Sequence, residues 1–405
     1  MDYENFPAIN YVRGLQTKGS RYGLERTRKL LDLLSSPDDK LKIIHVAGTN
    51  GKGSVCSYIT NILLAAGKKT GTFTSPAVYS YEEQFAIDGK PDLALTEKYL
   101  EQTLLAAKGL DDSPTAFELE TCAALAMFAG EGCEYAAVEC GLGGLSDSTN
   151  AINKKCVAVI NSISLEHTAL LGHTIGAIAK QKAGIIKNCP AVINALQQPE
   201  VLRYFEDIGG VIAETPQILT DDVNGCVFTV GGKKYSVKMH GKEQAYNAAA
   251  AIKACEILGV DGGAIKNGLE NAILGGRVEV IPRQKTYILD GAHNPASFAP
   301  LVSFLKANFG SEKLTIIYGC LSDKDTDGCV RLLSELNGEV IVVTPVSYRA
   351  KQAAEVYTIC KKYFNSVRLA DGVPQALDLA NGEAVVVCGS FTLLKEAKEW
   401  IGKRQ

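Results

Sequence analysis

Excess positive charge is missing from this chain: 42 Lys and Arg stand against 45 Asp and Glu, a formal net charge of -3 over 405 residues. That balance offers no basic field for nucleic acid. Histidine is scarce, with five residues that form no cluster. The twelve cysteines contain no C-x-x-C pair, which argues against zinc sites and a disulfide framework and for reduced thiols. No apolar run is long enough to span a bilayer, and Met1 to Asn5 lack the basic and apolar regions of a signal peptide. Internal repeats and low-complexity segments are absent as well. A soluble, cytoplasmic protein without membrane or nucleic-acid partners is expected. At this length single cores usually stop growing, so two domains are expected too.

What the sequence does have is a run from Ile43 to Ser54 in which an apolar strand breaks into a glycine-rich turn, Gly48-Thr49-Asn50-Gly51-Lys52-Gly53-Ser54. Glycines let backbone N–H groups crowd around phosphate oxygens, and the segment Val55 to Ala66 is expected to supply a helix N-terminus with its partial positive charge. Lys52 adds a full charge, and the Ser54 hydroxyl is suited to Mg²⁺. The spacing departs from G-x-x-x-x-G-K-[ST], because Lys52 lies between two glycines; the order strand, loop, Lys, Ser and helix carries the assignment.

Apolar strand-like runs alternate with helical periods along the chain, the pattern of parallel sheets covered by helices, so the class is α/β. Strands are expected at Lys42 to Ala47, Lys69 to Thr74, Tyr135 to Cys140, Val157 to Ser162 and Ala191 to Asn194, with helices at Phe117 to Ala129 and Thr174 to Ala183. Gly225 to His240 alternates around Gly231-Gly232 and reads as a hairpin, followed by an alanine-rich helix from Glu243 to Leu258. After Leu274-Gly275-Gly276-Arg277 the alternation starts afresh, with strands near Thr286 to Leu289, Leu314 to Tyr318, Val340 to Thr344 and Ala384 to Cys388. The expected organisation is a phosphate-loop ATPase-like domain with a mainly parallel sheet over residues 1–275, then a smaller Rossmann-like α/β domain over 276–405.

Polar groups gather at several strand ends. Glu139 closes one apolar run and is followed by Gly141-Leu142-Gly143-Gly144; nucleotide enzymes place a Mg²⁺ ligand at such a position. A strand-end glutamate is by default solvated. His167, in Ser162 to Thr168, is either a ligand or base or a structural histidine. Lys182, near a helix end, reads by default as a surface lysine. Asp290-Gly291-Ala292-His293-Asn294-Pro295 packs a carboxylate, an imidazole and an amide into one strand-to-helix turn, where function and helix capping are both plausible readings.

Together these segments resemble the folylpolyglutamate synthase/dihydrofolate synthase family within the ATP-dependent Mur-type ligases. The resemblance is carried by Arg21-Tyr22-Gly23-Leu24-Glu25-Arg26, Gly48 to Ser54, Thr74-Ser75-Pro76 and Glu139 to Asn150. It continues through Glu166-His167-Thr168, Lys182 to Ile186, Asp290 to Pro295, Gly319 to Asp325 and Cys388-Gly389-Ser390, in family order and over nearly the whole chain. It implies that Thr49, Asn50, Gly51, Lys52, Gly53 and Ser54 hold ATP, joined by Asn247, Arg277 and Asp290. Ser75, Glu139 and His167, with Ser54, are the implied Mg²⁺ positions, and a monovalent cation is a further candidate. Lys182 matches a lysine that is carbamylated in the family. Lys52, Lys182 and His293 are the expected catalytic residues. Thr115, Phe117 and Glu118, together with Ser146, Asp147 and Ser148, would receive the pterin, and His293 and Ser390 would serve the incoming glutamate. The implied substrates are dihydropteroate or a reduced folate, L-glutamate and ATP, acting on a monomeric chain. Leu145, Glu166 and Ala296 stand where the family usually has Arg, Asp and His.

The expected reaction is amide formation. A carboxylate is a poor acyl donor until phosphoryl transfer from ATP makes it an acyl phosphate, which the glutamate amine then attacks; Mg²⁺, Lys52 and Arg277 would answer the developing charge. Closure of the second domain would keep water from the acyl phosphate. Two other readings remain in view at this stage. A peptidoglycan-precursor Mur ligase carries an extra nucleotide-sugar domain before its phosphate loop, for which a loop beginning at Gly48 leaves no room. A phosphate-loop nucleotide switch would have no reason to respond to glutamate.

Overall fold

The computed structural model describes residues 3–16 and 23–404, so Arg21 and Tyr22 lie outside the described residues. The chain has the expected α/β class in two domains, each built on a mainly parallel sheet. The first sheet contains β1 (Lys42–Ala47), β2 (Thr70–Phe73), β3 (Phe85–Ile87), β4 (Lys90–Pro91), β5 (Tyr135–Glu139), β6 (Val157–Ile160), β7 (Ala191–Ile193) and β8 (Val211–Ile212), in the order β4-β3-β2-β5-β1-β6-β7-β8. β1 lies between β5 and β6, parallel to both, with Val46 opposite Glu139 on one side and Val159 on the other. Five of its six residues are buried, which is why it reads as a continuous apolar run: a central parallel strand is covered on both faces. One face carries helices Lys52–Ala65 and Lys242–Ile257 through Ile59, Ile62, Ala248 and Ala251. The other carries helices Glu25–Leu33 and Ala116–Gly130 through Leu30, Leu119 and Phe128.

The sequence-read hairpin is real, with β10 (Gly225–Val230) paired to β11 (Lys233–Val237), but β9 (Gln217–Asp222) adds a third antiparallel strand. The second large sheet joins β12 (Glu279–Pro282), β13 (Thr286–Leu289), β14 (Leu314–Tyr318), β15 (Gly338–Val342), β16 (Val367–Leu369) and β17 (Ala384–Cys388), in the order β12-β13-β17-β14-β15-β16. Only β12 runs antiparallel to its neighbour. Two element boundaries differ from the sequence reading, the first of them in the site. The helix after the phosphate loop begins at Lys52, three residues before the expected Val55, because Gly51 takes φ 75° as its N-cap. The strand expected from Val340 begins at Gly338. All twelve cysteines are free, and among the described residues no helix is long and apolar enough to cross a membrane.

Candidate functional site

The loops at the C-terminal ends of β1, β5 and β6 converge, and they carry most of the sequence-selected residues. Gly51 makes the first of them possible. Its φ of 75° is left-handed, and a Cβ there would lie 2.4 Å from Asn161 Nδ2, so only glycine fits. Asn161 Nδ2 in turn donates to Asn50 O at 2.7 Å and to Asn247 Oδ1 at 2.8 Å. Asn247 therefore braces the back of the phosphate loop, together with Asn161 and Asn194, which also donates to Asn161. The first-turn N–H groups after Gly51 have no intrahelical partner and carry the helix's positive end. Thr49 accepts from Ser164 N at 3.1 Å, fixing the loop from β6's side.

Charge is arranged tightly around this loop. Lys52 Nζ donates to Thr49 O at 3.2 Å and lies 3.7 Å from Glu139 Oε1. Glu139 is buried rather than solvated. Burial raises its carboxyl pKa, and the charges of Lys52 and Arg277 offset part of that rise. Ser75 N donates to Glu139 Oε2 at 3.3 Å. Beside them the Ser54 hydroxyl is buried without a hydrogen-bond partner, an exception among buried polar groups that marks a place for a ligand oxygen or cation.

Lys182 is not at the surface. It is buried, and its Nζ donates to Gly48 O at 2.7 Å. Burial, reinforced by the charge of Lys52, pushes its ammonium down to about 7. It shares a small recess with Lys52, Cys140, Glu166 and His167. Glu166 crosses between the domains: its Oε1 accepts from Asn294 Nδ2 at 3.3 Å and lies 3.8 Å from His293 Nε2, 3.9 Å from His167 Nε2 and 4.0 Å from Lys324 Nζ. Burial alone would raise its pKa, but the nearby His293 imidazole and the charges of His167 and Lys52 outweigh it and bring it to about 2. His167, by contrast, is lowered by burial despite Glu166.

From the second domain, Arg277 lies 5.0 Å over the Phe391 ring, and its buried Nε has no partner. Asp290 accepts from Val278 N and Ala292 N, both at 2.7 Å, so it organises the turn that presents Arg277 and His293. Burial raises its pKa, opposed by Arg277. His293 Nδ1 is 2.8 Å from Gly291 O. Ser390 is occupied as the N-cap of helix Phe391–Gly402, accepting from Thr392 N at 3.4 Å. A cavity of about 410 Å³ opens in the first domain, lined by Ser75, Tyr79, Glu139 and Leu274, and Arg277 reaches it from the second domain.

The residues selected for a pterin form a second group, around Ala116–Gly130 and the loop after β5. Thr115 and Glu118 make a capping box, and the fully buried Glu118 pairs with Arg26 at 3.0 Å. Phe117 packs on Phe73 with ring centroids 5.7 Å apart. Asp147 accepts from Leu142 N at 2.7 Å and Thr149 N at 3.0 Å, shaping the loop in which Ser146 is exposed and Ser148 half-buried. Thr115, Glu118 and Asp147 thus have structural work of their own. Sequence reasoning did not single out Arg26, Asn161 or Lys324; the first and last lie inside quoted motifs, but nothing in their spacing announces a partner on another element.

Fold and site together define a Mur-type ligase: residues 46–255 match the Mur ligase middle domain, and residues 276–391 match the Mur ligase glutamate ligase domain. The chain is 31% identical to dihydrofolate synthase/folylpolyglutamate synthase of Bacillus subtilis over 97% of its own length and 98% of that protein. It superposes with TM-score 0.88 and 31% identity on Mycobacterium tuberculosis folylpolyglutamate synthase complexed with ADP and AMPPCP, covering 98% of both chains. A bifunctional folylpolyglutamate synthase/dihydrofolate synthase with Mn, AMPPNP and L-glutamate bound gives TM-score 0.82 at 30% identity, again covering 98% of both. The chain belongs to the folylpolyglutamate synthase/dihydrofolate synthase family.

Proposed function

We propose that this chain is an ATP-dependent ligase that joins L-glutamate to a pterin-bearing carboxylate, dihydropteroate or a reduced folate, releasing ADP and phosphate. The observation that carries this reading is the convergence of Lys52, Glu139 and Ser75 with Arg277 from the other domain, in a chain that matches its relatives end to end. The nucleotide complexes of the relatives support ATP, and the Mn, AMPPNP and L-glutamate complex supports a divalent metal and the glutamate substrate.

The residues present fit a hard divalent cation. Ser54 Oγ is buried and unpartnered beside the phosphate loop, and Glu139 supplies a buried carboxylate. Among the described residues no group of three His, Cys, Asp or Glu is gathered for a metal, so the donor set is hydroxyl, carboxylate and phosphate oxygen, which suits Mg²⁺ and not zinc. Ser54, Ser75 and Glu139 would hold it, and there it would neutralise phosphate charge; His167, selected with them, lies in the recess beside Lys52 and Lys182. The N–H groups of the Gly51–Ser54 turn cradle the phosphates, and Lys52 and Arg277 balance the charge that grows as the substrate carboxylate oxygen bonds to the γ-phosphorus and ADP leaves. The amine of glutamate then adds to the acyl carbon, and phosphate departs with the oxygen that came from the carboxylate. His293, whose Nε2 lies 3.8 Å from Glu166 of the first domain, would take the amine proton. Lys182 carries a carbamate, its depressed pKa supplying the neutral amine that attacks CO₂. The domain boundary falls at 275/276, so neither half holds the whole site.

The acyl phosphate route is tested by ¹⁸O. A substrate labelled in its carboxylate should give phosphate carrying one ¹⁸O per turnover. Unlabelled phosphate alongside ligated product would overturn the route.

A further inference from the structure

The loop that follows β2 leaves the first domain and packs on the second. Val78 and Tyr79 lie against the second-domain core cluster that contains Leu289, Leu393 and Leu394. The Tyr79 ring lies so close to the link between the domains that a Cβ on Gly275 would come within 2.4 Å of its Cε2. Its hydroxyl donates to Glu279 Oε2 in β12. Gly276 N donates to the same oxygen at 3.1 Å, while Lys398 Nζ donates to Oε1 at 2.6 Å and stands 4.2 Å over the Tyr79 ring. The Tyr79 hydroxyl and both Glu279 carboxylate oxygens are thereby engaged, and Gly276, Glu279 and Lys398 belong to the second domain or the link.

The other end of the loop meets the phosphate site. Val78 N and Tyr79 N both donate to Glu83 Oε2, at 3.3 and 3.0 Å, which stiffens the loop, and Ser75 N donates to Glu139 Oε2 at 3.3 Å. Contacts therefore run from Lys398 through Glu279 to Tyr79, and four residues back along the same loop Ser75 contacts Glu139. None of Tyr79, Glu279 or Lys398 was selected from the sequence, since each is separately an ordinary surface residue type.

We propose that Tyr79 is a positioning residue, clamped by Glu279 and Lys398, through which the second domain sets the Ser75 loop against Glu139. The consequence for function rests on the proposed ligase reading; the clamp does not. Domain placement and the cation-binding side of the site are then one mechanical unit, so a displaced second domain also displaces Ser75.

The test uses the full chain with Tyr79→Phe, Glu279→Gln and the double variant. Hydrogen–deuterium exchange of peptides covering residues 74–84, measured without substrate, should speed up about tenfold in either single variant, the equivalent of one lost charge-assisted hydrogen bond. The double variant should be no faster than Glu279→Gln alone, because that substitution already weakens the bond that Tyr79→Phe removes, along with the contacts to Gly276 and Lys398. In turnover assays the Mg²⁺ concentration at half-maximal rate should rise severalfold. Unchanged exchange in both single variants overturns the clamp. Faster exchange with an unchanged Mg²⁺ requirement overturns the positioning role, since a merely structural tyrosine would give that result. If wild-type protein ligates nothing, the ligase reading fails, and the exchange comparison still decides whether the clamp exists.

Discussion

Lys182 gives the sharpest quantitative expectation. Its ammonium is brought down to about 7 by burial and by Lys52, against an ordinary lysine near 10.4. At pH 7.5 a group with pKa 7 is about three-quarters neutral, whereas an ordinary lysine is neutral about once in 800, so the reactive amine is enriched by two to three orders of magnitude. Because the folded-state pKa is depressed, the neutral form grows as pH rises through 7 and then levels off. Carbamate formation should accordingly climb between pH 6 and 8 and flatten, where an exposed lysine would keep climbing to pH 10. The product places an anion close to Lys52 where a mostly neutral amine stood, adding attraction. The assay is ¹³C NMR of protein equilibrated with ¹³C-bicarbonate, with Lys182→Ala as the control, alongside turnover. Loss of the anion should lower turnover on the order of 10²-fold, with partial recovery on adding formate or acetate. A wild-type spectrum without a carbamate resonance, together with Lys182→Ala turnover within tenfold of wild type, would refute the reasoning.

Other substitutions probe separate parts of the account. Lys52→Ala removes a full charge 3.7 Å from Glu139 and should cost on the order of 10³-fold in turnover, by analogy with arginine fingers; steady-state kinetics within tenfold of wild type would remove the phosphate role. Arg26→Ala leaves the fully buried Glu118 without its 3.0 Å partner and should lower stability by about 3–5 kcal/mol, read by denaturant titration, with a higher KM for the pterin. Burial lifts Glu120 to about 7 against the hydrogen bonds from Tyr81 and Gln16. Its folded-state pKa is above the unfolded value, so its contribution is full below pH 4.5 and lost as pH rises through 7, by at most about 3 kcal/mol. Glu120→Gln should abolish that part of the pH dependence of unfolding; an unchanged wild-type-like slope would count against it.

Central strands were legible in the sequence because burial on both faces leaves an uninterrupted apolar run: Lys42–Ala47, Thr286–Leu289, Leu314–Tyr318 and Ala384–Cys388 coincide with their sequence-read bounds. Short edge elements such as Phe85–Ile87 and Lys90–Pro91 are too brief for a period, and the polar, half-exposed Gln217–Asp222 has no apolar face to announce it. The same limit applies to the site. The phosphate loop could be read because its chemistry is local. Glu139 and Lys182 could not be separated from solvated residues, because their burial is made by elements far away in sequence, and family resemblance alone pointed to them. Glu166 reaching Asn294, and Tyr79 reaching Glu279, are properties of two domains meeting, which no spacing within one segment encodes.

The central claim is that phosphate release and amide formation are one reaction that requires glutamate. The most direct measurement incubates the protein with ATP, Mg²⁺ and either dihydropteroate or tetrahydrofolate, with and without L-glutamate, and follows ADP together with product mass. The account predicts a product heavier by one glutamyl residue, formed one for one with ADP and only when glutamate is present. Phosphate release that ignores glutamate, with no gain in mass on any pterin, would contradict it.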